Sequence, residues 1–346
     1  MLPLVPNGVI AADGEPRFGT YRGELPGVAF DGLSGEYRVS PWMWRFRRKR
    51  WQYNLAVTRD LILAQAVVDG RYFSQAFCYA VDLWEERRVG SVSFVGVPDA
   101  QGQVNDHPAG QHHSRFTAPG ASLATSRGPF RAPFQWRTDV SRWHLLRPGG
   151  LHVDAEIGTA DVAPALTVVS PVEGGRMNVT QKWAALPLSG EARIGTRTYP
   201  LDGGLAGLDY TQGLLARRTT WRWAMALGHL HDGRPLGINL VEGFNDDHPT
   251  ANENALWVGD RLIPLARARF EFDRDEPTRR WEVETTDGAL RLWFTPFYVH
   301  DESHHLGVIR SHFLQPAGRF EGVLTLDGER YRLVLHGVME DQDVFW

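Results

Sequence analysis

Asp209 is the only charged residue between Gly203 and Leu215. Apolar surroundings disfavour an ionised carboxyl, so the sequence predicts an acid that keeps its proton near neutral pH and acts as a general acid. A turn-forming aspartate that bonds nearby backbone N–H groups would leave the same trace. Glu242 alternates with Ile238, Leu240 and Phe244, which puts a carboxyl on the apolar face of a strand. A strand end where that face meets solvent is the other explanation, and Gly243, Asn245, Asp246 and Asp247 follow at once.

Between these acids, Trp221, Trp223, Met225, Leu227 and His229 share one strand face, opposite Ala224, Ala226 and Gly228. Such an aromatic face can stabilise a cation or simply form barrel core. Tyr210 adjoins the acid. Asn239, Glu253 and Asn254 are polar residues beside apolar neighbours, placed either to orient a ligand or to satisfy strand ends. His229 and His231 could chelate from one strand face, and His300, His304, His305 and His312 form a second histidine-rich patch. Neither has the ligand spacing of a recognised zinc motif, so no metal is expected. A Gly-rich phosphate loop and a Gly-x-Ser-x-Gly elbow are both missing from strand–helix contexts, which removes nucleotide and esterase readings and leaves no cofactor to expect. Cys78, a lone cysteine in an apolar run, reads as a buried inert thiol.

The elements that must carry these residues are strands. Leu208 to Leu256 reads as two hydrophobic strands around a turn at Asp232-Gly233, and Asp-Gly pairs recur at Asp69-Gly70, Asp287-Gly288 and Asp327-Gly328. Two-residue Asp-Gly loops suit the type I′ turn, and the cleanest hairpin pairs Phe320 to Leu326 with Glu329 to Val338. His152 to Ile157 alternates strictly. No long segment keeps a 3.6-residue apolar period, so helices should be few and short. Residues 1 to 40, rich in Gly and Pro, read as an irregular wrapping segment. Gly102 to Pro133, with Asn105, Asp106, His107, His112 and His113, reads as a long functional or mobile loop. Trp51-Gln52-Tyr53, an apolar run and Asp69-Gly70 parallel Trp221-Arg222-Trp223, an apolar run and Asp232-Gly233, the echo of a duplication. The fold class expected is all-β, two tandem antiparallel barrels joined near residues 185 to 210, with domains at 1–190 and 191–346.

With 346 residues, 42% apolar and 23% charged, the chain has the composition of a globular protein, and its thirteen Trp promise large aromatic surfaces. The net charge of −4 lacks the broad positive field that nucleic acid requires. The one basic run, Arg45 to Arg50, reads as a solvated rim among Trp42, Trp44 and Trp51. Met1 to Gly8 lacks the features of a signal peptide, and Leu61 to Val68 falls far short of the roughly twenty apolar residues that span a bilayer. A cytoplasmic location is the expectation.

Lys49-Arg50-Trp51-Gln52-Tyr53, Leu208-Asp209-Tyr210, Trp221-Arg222-Trp223, Gly237-Ile238-Asn239-Leu240, Glu253-Asn254-Ala255-Leu256 and Gln315-Pro316-Ala317-Gly318-Arg319-Phe320-Glu321-Gly322 resemble a bacterial family labelled as a domain of unknown function, number 2804. That family is similar to double-barrel, lipocalin-like proteins: carotenoid hydratases, tocopherol cyclases, AttH-type proteins and fungal cyclases acting on polyketide or terpenoid skeletons. The resemblance implies a pair of calycin-type barrels and a hydrophobic small-molecule partner. It further implies acid-catalysed hydration, cyclisation or isomerisation of an isoprenoid- or lipid-like substrate. Asp209 would protonate an alkene or epoxide, Tyr210, Trp221 and Trp223 would shape the pocket, and Glu242 or His229 would position water. The alternative is a binding protein that shelters such a molecule unchanged. Convergence of Asp209 and Glu242 in one pocket separates the two.

Overall fold

The alternation in the sequence becomes strand nearly everywhere: strands take 62% of the chain and helix 3%. The structure, a computed structural model, describes residues 1–108, 113–118, 121–126, 150–244, 246, 248–306 and 309–346. A first sheet runs, in spatial order, Gly19–Arg22, Leu166–Pro171, Met177–Ile194, Gly204–Leu214, Arg48–Val57, Leu61–Asp69, Ser74–Asp82 and Arg87–Gly96; Leu151–Ile157 and Arg197–Pro200 also pair with Met177–Ile194. A second runs Arg261–Pro264, Ala255–Val258, Pro235–Glu242, Arg218–His229, Glu329–Phe345, Ile309–Leu326, Leu290–Leu306, Trp281–Thr285 and Ala268–Glu271. Both are antiparallel and both curl, giving the lipocalin-like double barrel expected. In the second, the Phe270 N–H reaches Glu242 at 3.2 Å and draws one edge strand back to the other side. That curl closes over Ile238, Leu256, Trp281, Phe294 and Phe320.

The two sheets repeat one topology. In each, the strand carrying the Trp-x-aromatic triplet pairs with the last strand of its own sheet: Arg48–Val57 with Gly204–Leu214, and Arg218–His229 with Glu329–Phe345. The triplets then meet between the sheets. Trp51 stacks on Trp221 with ring centroids 5.6 Å apart, and Tyr53 packs edge-on to Trp223 at 5.0 Å.

Several details differ from the sequence reading. The boundary expected between residues 190 and 191 falls inside Met177–Ile194. Gly204–Leu214 pairs with both Met177–Ile194 and Arg48–Val57, so it completes the first sheet, and the chain crosses to the second only at residues 215–217. Within Met177–Ile194 a bulge between Trp183 and Leu186, with Ala185 at φ 59°, bends the strand. Of the Asp-Gly pairs, Asp327-Gly328 has both residues at positive φ in a two-residue loop, as type I′ requires; Asp232-Gly233 sits in the longer connection between His229 and Pro235.

The basic run is a solvated rim only at its start, where Arg45 is exposed. Lys49 and Arg50 are buried because their strand is covered on both faces: on one, Arg50 pairs with Asp69 and Asp106, and on the other, the Lys49 ammonium lies over the rings of Tyr72 and Trp346. Gly102 to Pro133 holds strands at Gly102–Val104, His113–Ala118 and Ala121–Ser126, with Asn105, Asp106 and His107 in the connection after the first, while residues 109–112, 119–120 and 127–133, His112 among them, lie outside the described residues. Among the described residues helix is confined to Gly35–Tyr37 and Pro41–Arg47, and neither is long and apolar enough to cross a membrane.

Candidate functional site

Where the triplets meet, the sheets enclose a cavity of about 100 Å3. Its walls are aromatic: Trp51, Tyr53 and Phe77 from the first sheet, Trp221, Trp223 and Phe313 from the second, with Phe244 at one side. Polar groups reach it from fixed strand positions. Asp209 stands opposite Tyr53 in register and Glu340 opposite Trp223, so the duplicated topology presents one carboxyl from each sheet.

Each carboxyl is held in a similar way. Asp209 accepts from the Trp51 indole at 3.4 Å and from Thr180 at 3.1 Å. Glu340 accepts from the Trp221 indole at 2.6 Å. The neighbouring strand supplies a further donor to each. For Asp209 this is the Lys182 ammonium at 3.0 Å, directly across the ladder. For Glu340 it is the Gln315 amide at 2.7 Å. The Gln315 carbonyl oxygen accepts the hydroxyls of Tyr53 at 3.2 Å and Tyr79 at 2.7 Å, which leaves its amide N–H for Glu340.

The difference between a lysine and a glutamine sets the electrostatics. Burial disfavours the Lys182 ammonium, but the carboxylates of Asp209 and Glu253, the latter at 3.5 Å, outweigh that and raise its pKa above the ordinary value. Glu253 is itself pushed up by burial, which Lys182 offsets only in part. Among the described residues Glu340 has no ion-pair partner, and Lys182 acts on it only weakly. Burial lifts its carboxyl from 4.5 to about 7, against the pull of the bonds from Gln315 and Trp221.

The site therefore departs from the sequence reading. Asp209, Trp221, Trp223 and Glu253 line the cavity, but Asp209 is an ion-paired carboxylate and not an isolated acid. Glu242 does not converge with it: half-buried outside the cavity, it accepts from the Phe270 N–H and pairs with Arg222 at 3.5 Å. His229 is exposed at a strand end opposite Pro235. Tyr210 points to the other face of its strand and donates to Gln212 at 2.8 Å. Asn239 stands behind the wall, accepting the Trp223 indole N–H and donating to the Glu253 carbonyl, each at 2.7 Å. Asn254 accepts the Val241 N–H at 2.8 Å. Sequence reasoning missed Glu340, Lys182, Gln315, Trp51 and Tyr53 as site residues. The echo of Trp51-Gln52-Tyr53 in Trp221-Arg222-Trp223 was the signal for the last two.

Among the described residues, no three His, Cys, Asp or Glu side chains are arranged to hold a metal ion. His231 packs on Tyr331, and His300 is buried against Phe77 and Tyr79 with Nε2 3.3 Å from Glu302. Burial raises the Cys78 thiol well above its ordinary pKa and keeps it inert.

No curated protein matches this chain by sequence. Among solved structures, CghA bound to Sch210972 is similar with a TM-score of 0.53 and 11% identity, covering 99% of this chain and 97% of that one. An AttH from Nitrosomonas europaea gives 0.51 and 14%, covering 85% and 92%. Kievitone hydratase from Nectria haematococca gives 0.47 and 9%, covering 99% and 98%. At such identities the first two establish the fold alone. The model of the family described as "Domain of unknown function (DUF2804)" matches residues 5–346, and this chain belongs to that family.

Proposed function

We propose that the protein is an acid–base enzyme that adds water to, cyclises or isomerises a hydrophobic small molecule, isoprenoid- or lipid-like, in the aromatic cavity, with Glu340 as proton donor. One observation carries this reading: a buried carboxyl with a pKa near 7 lines the cavity, and both groups that bond it, Trp221 and Gln315, are donors. The proton of Glu340 therefore has no acceptor among its described partners and is free for a ligand. In a hydration, the C=C electron pair takes that proton, leaving the Glu340 carboxylate and a carbocation facing the Trp51–Trp221 stack. Water adds to the cation and returns a proton to Glu340, while the ion-paired Asp209 accepts a hydrogen bond that orients the water. The presence of Sch210972 in CghA, a protein of similar fold, supports a small organic occupant.

The test is incubation with a panel of isoprenoid alkenes in deuterated water, read by mass spectrometry for deuterium uptake or water addition. Glu340→Gln keeps the shape and removes the proton, so turnover should drop about a hundredfold or more while probe binding persists. Full turnover in that variant would defeat the assignment. Binding without change across the panel would favour the alternative, a carrier that shelters its ligand.

A further inference from the structure

Phe77 and Phe313 have a second cavity on their far side. It measures about 80 Å3 and is walled by Val68, Phe73, Val95, Val344 and Trp346. The two phenylalanines line both cavities, come from opposite sheets, and meet with ring centroids 5.6 Å apart at 43°. Their rings stand between the chambers there, and Phe313 is half-buried. The polar groups around the second chamber are engaged with protein. Gln342 donates to Ser311 at 3.0 Å, and Glu302 accepts from Gln75 and Ser93. The first chamber thus holds the reactive carboxyls, and the second presents a mainly apolar wall.

We propose that the chambers form one bipartite site for an elongate ligand, whose head reacts in the first chamber while an alkyl- or prenyl-type chain passes between Phe77 and Phe313 into the second. The nature of the head rests on the function proposed above; the chain-length requirement does not. Phe77 and Phe313 act as specificity-determining residues, since any chain that reaches the second chamber must displace or slide along their rings. Each methylene buried there is worth about fourfold in affinity, so the second chamber sets which chain lengths bind well.

Para-methyl-, para-butyl- and para-octylphenol serve as probes, with affinity and stoichiometry read by isothermal titration. One molecule of each should bind per chain, with the octyl compound tightest. Val95→Trp, at an exposed wall position, and Ser311→Phe independently should each weaken para-octylphenol by about tenfold or more through loss of buried methylenes, and leave para-methylphenol unchanged. Two octyl molecules per chain, an unchanged octyl affinity in both variants, or equal losses for all three probes would overturn the proposal. Binding is measured without turnover, so a Glu340→Gln protein that stays active yet shows the same chain-length dependence sinks the acid and leaves the bipartite site standing.

Discussion

Glu340 and Asp209 are the same acid chemistry in two electrostatic settings. Each takes an indole N–H and a donor from the next strand, and the donor is charged in one case and neutral in the other. Two variants of Gln315 test this with opposite signs. Gln315→Lys puts a cation beside Glu340 and should lower its pKa, moving the alkaline limb of the activity profile down from about 7 by roughly one unit or more. Gln315→Met removes a bond that favours the carboxylate and should move the limb up. A purely structural Gln315 would change yield or stability and leave the limb where it is in both. The same shift predicts a pH dependence of stability. Folded Glu340 keeps its proton to about 7 and the unfolded carboxyl loses it near 4.5, so the folded state binds more protons in between. Stability from this group is therefore present below about 4.5 and is lost as pH rises through about 7. Glu340→Gln should remove that loss, as chemical denaturation across the range would reveal.

At the scale of strands, much was legible and the central ion pair was not. His152 to Ile157 alternates strictly and forms Leu151–Ile157, and the last hairpin turns at Asp327-Gly328 as its residues require. Asp209 stood out because its own strand is apolar. Lys182 and Glu340 did not, because each occupies a strand position whose face is decided by another sheet. Met339-Glu340-Asp341-Gln342-Asp343 reads as a polar strand end, yet Glu340 is buried because the first sheet covers it. Register likewise put Lys182 opposite Asp209, and no local pattern announces that partner. Lys182 also reaches Glu253, on the segment leading into Ala255–Val258 of the second sheet, so one ammonium ties the two sheets together. Lys182→Met should cost about 3–5 kcal/mol, because it leaves buried carboxylates unpaired. Adding Asp209→Asn to Lys182→Met should restore part of that. A urea titration with an unchanged midpoint for Lys182→Met would remove the pair from any structural role.

The whole molecule is a duplication whose halves no longer stand apart. The largest apolar cluster runs through both sheets, joining Tyr53, Leu186 and Tyr210 to Trp223, Met225 and Trp257, while the interior of the second barrel forms a cluster of its own around Trp281 and Phe294. Side chains bridge the halves elsewhere: the Trp257 indole donates to the Pro164 carbonyl at 3.0 Å, and Thr20 of the wrapping segment bonds the Thr250 carbonyl at 2.8 Å. The cavity lies in that shared layer, so the carboxyls keep their positions only while both barrels are folded and docked. Separate barrels would expose this layer to water and lose the burial that raises the pKa of Glu340. The expected outcome is one cooperative unfolding transition in calorimetry, with van't Hoff and calorimetric enthalpies equal, although chains of this length often unfold in stages. Its heat-capacity change should be about 4–5 kcal/mol/K, the value for the whole chain, against roughly half that for one barrel. Trp223→Ala, which empties the shared layer, should lower the midpoint by an amount equivalent to about 3–5 kcal/mol and keep the transition single. Two resolved transitions in the unaltered protein, each with half the heat-capacity change, would mean that the barrels are independent and that docking, not folding, assembles the cavity.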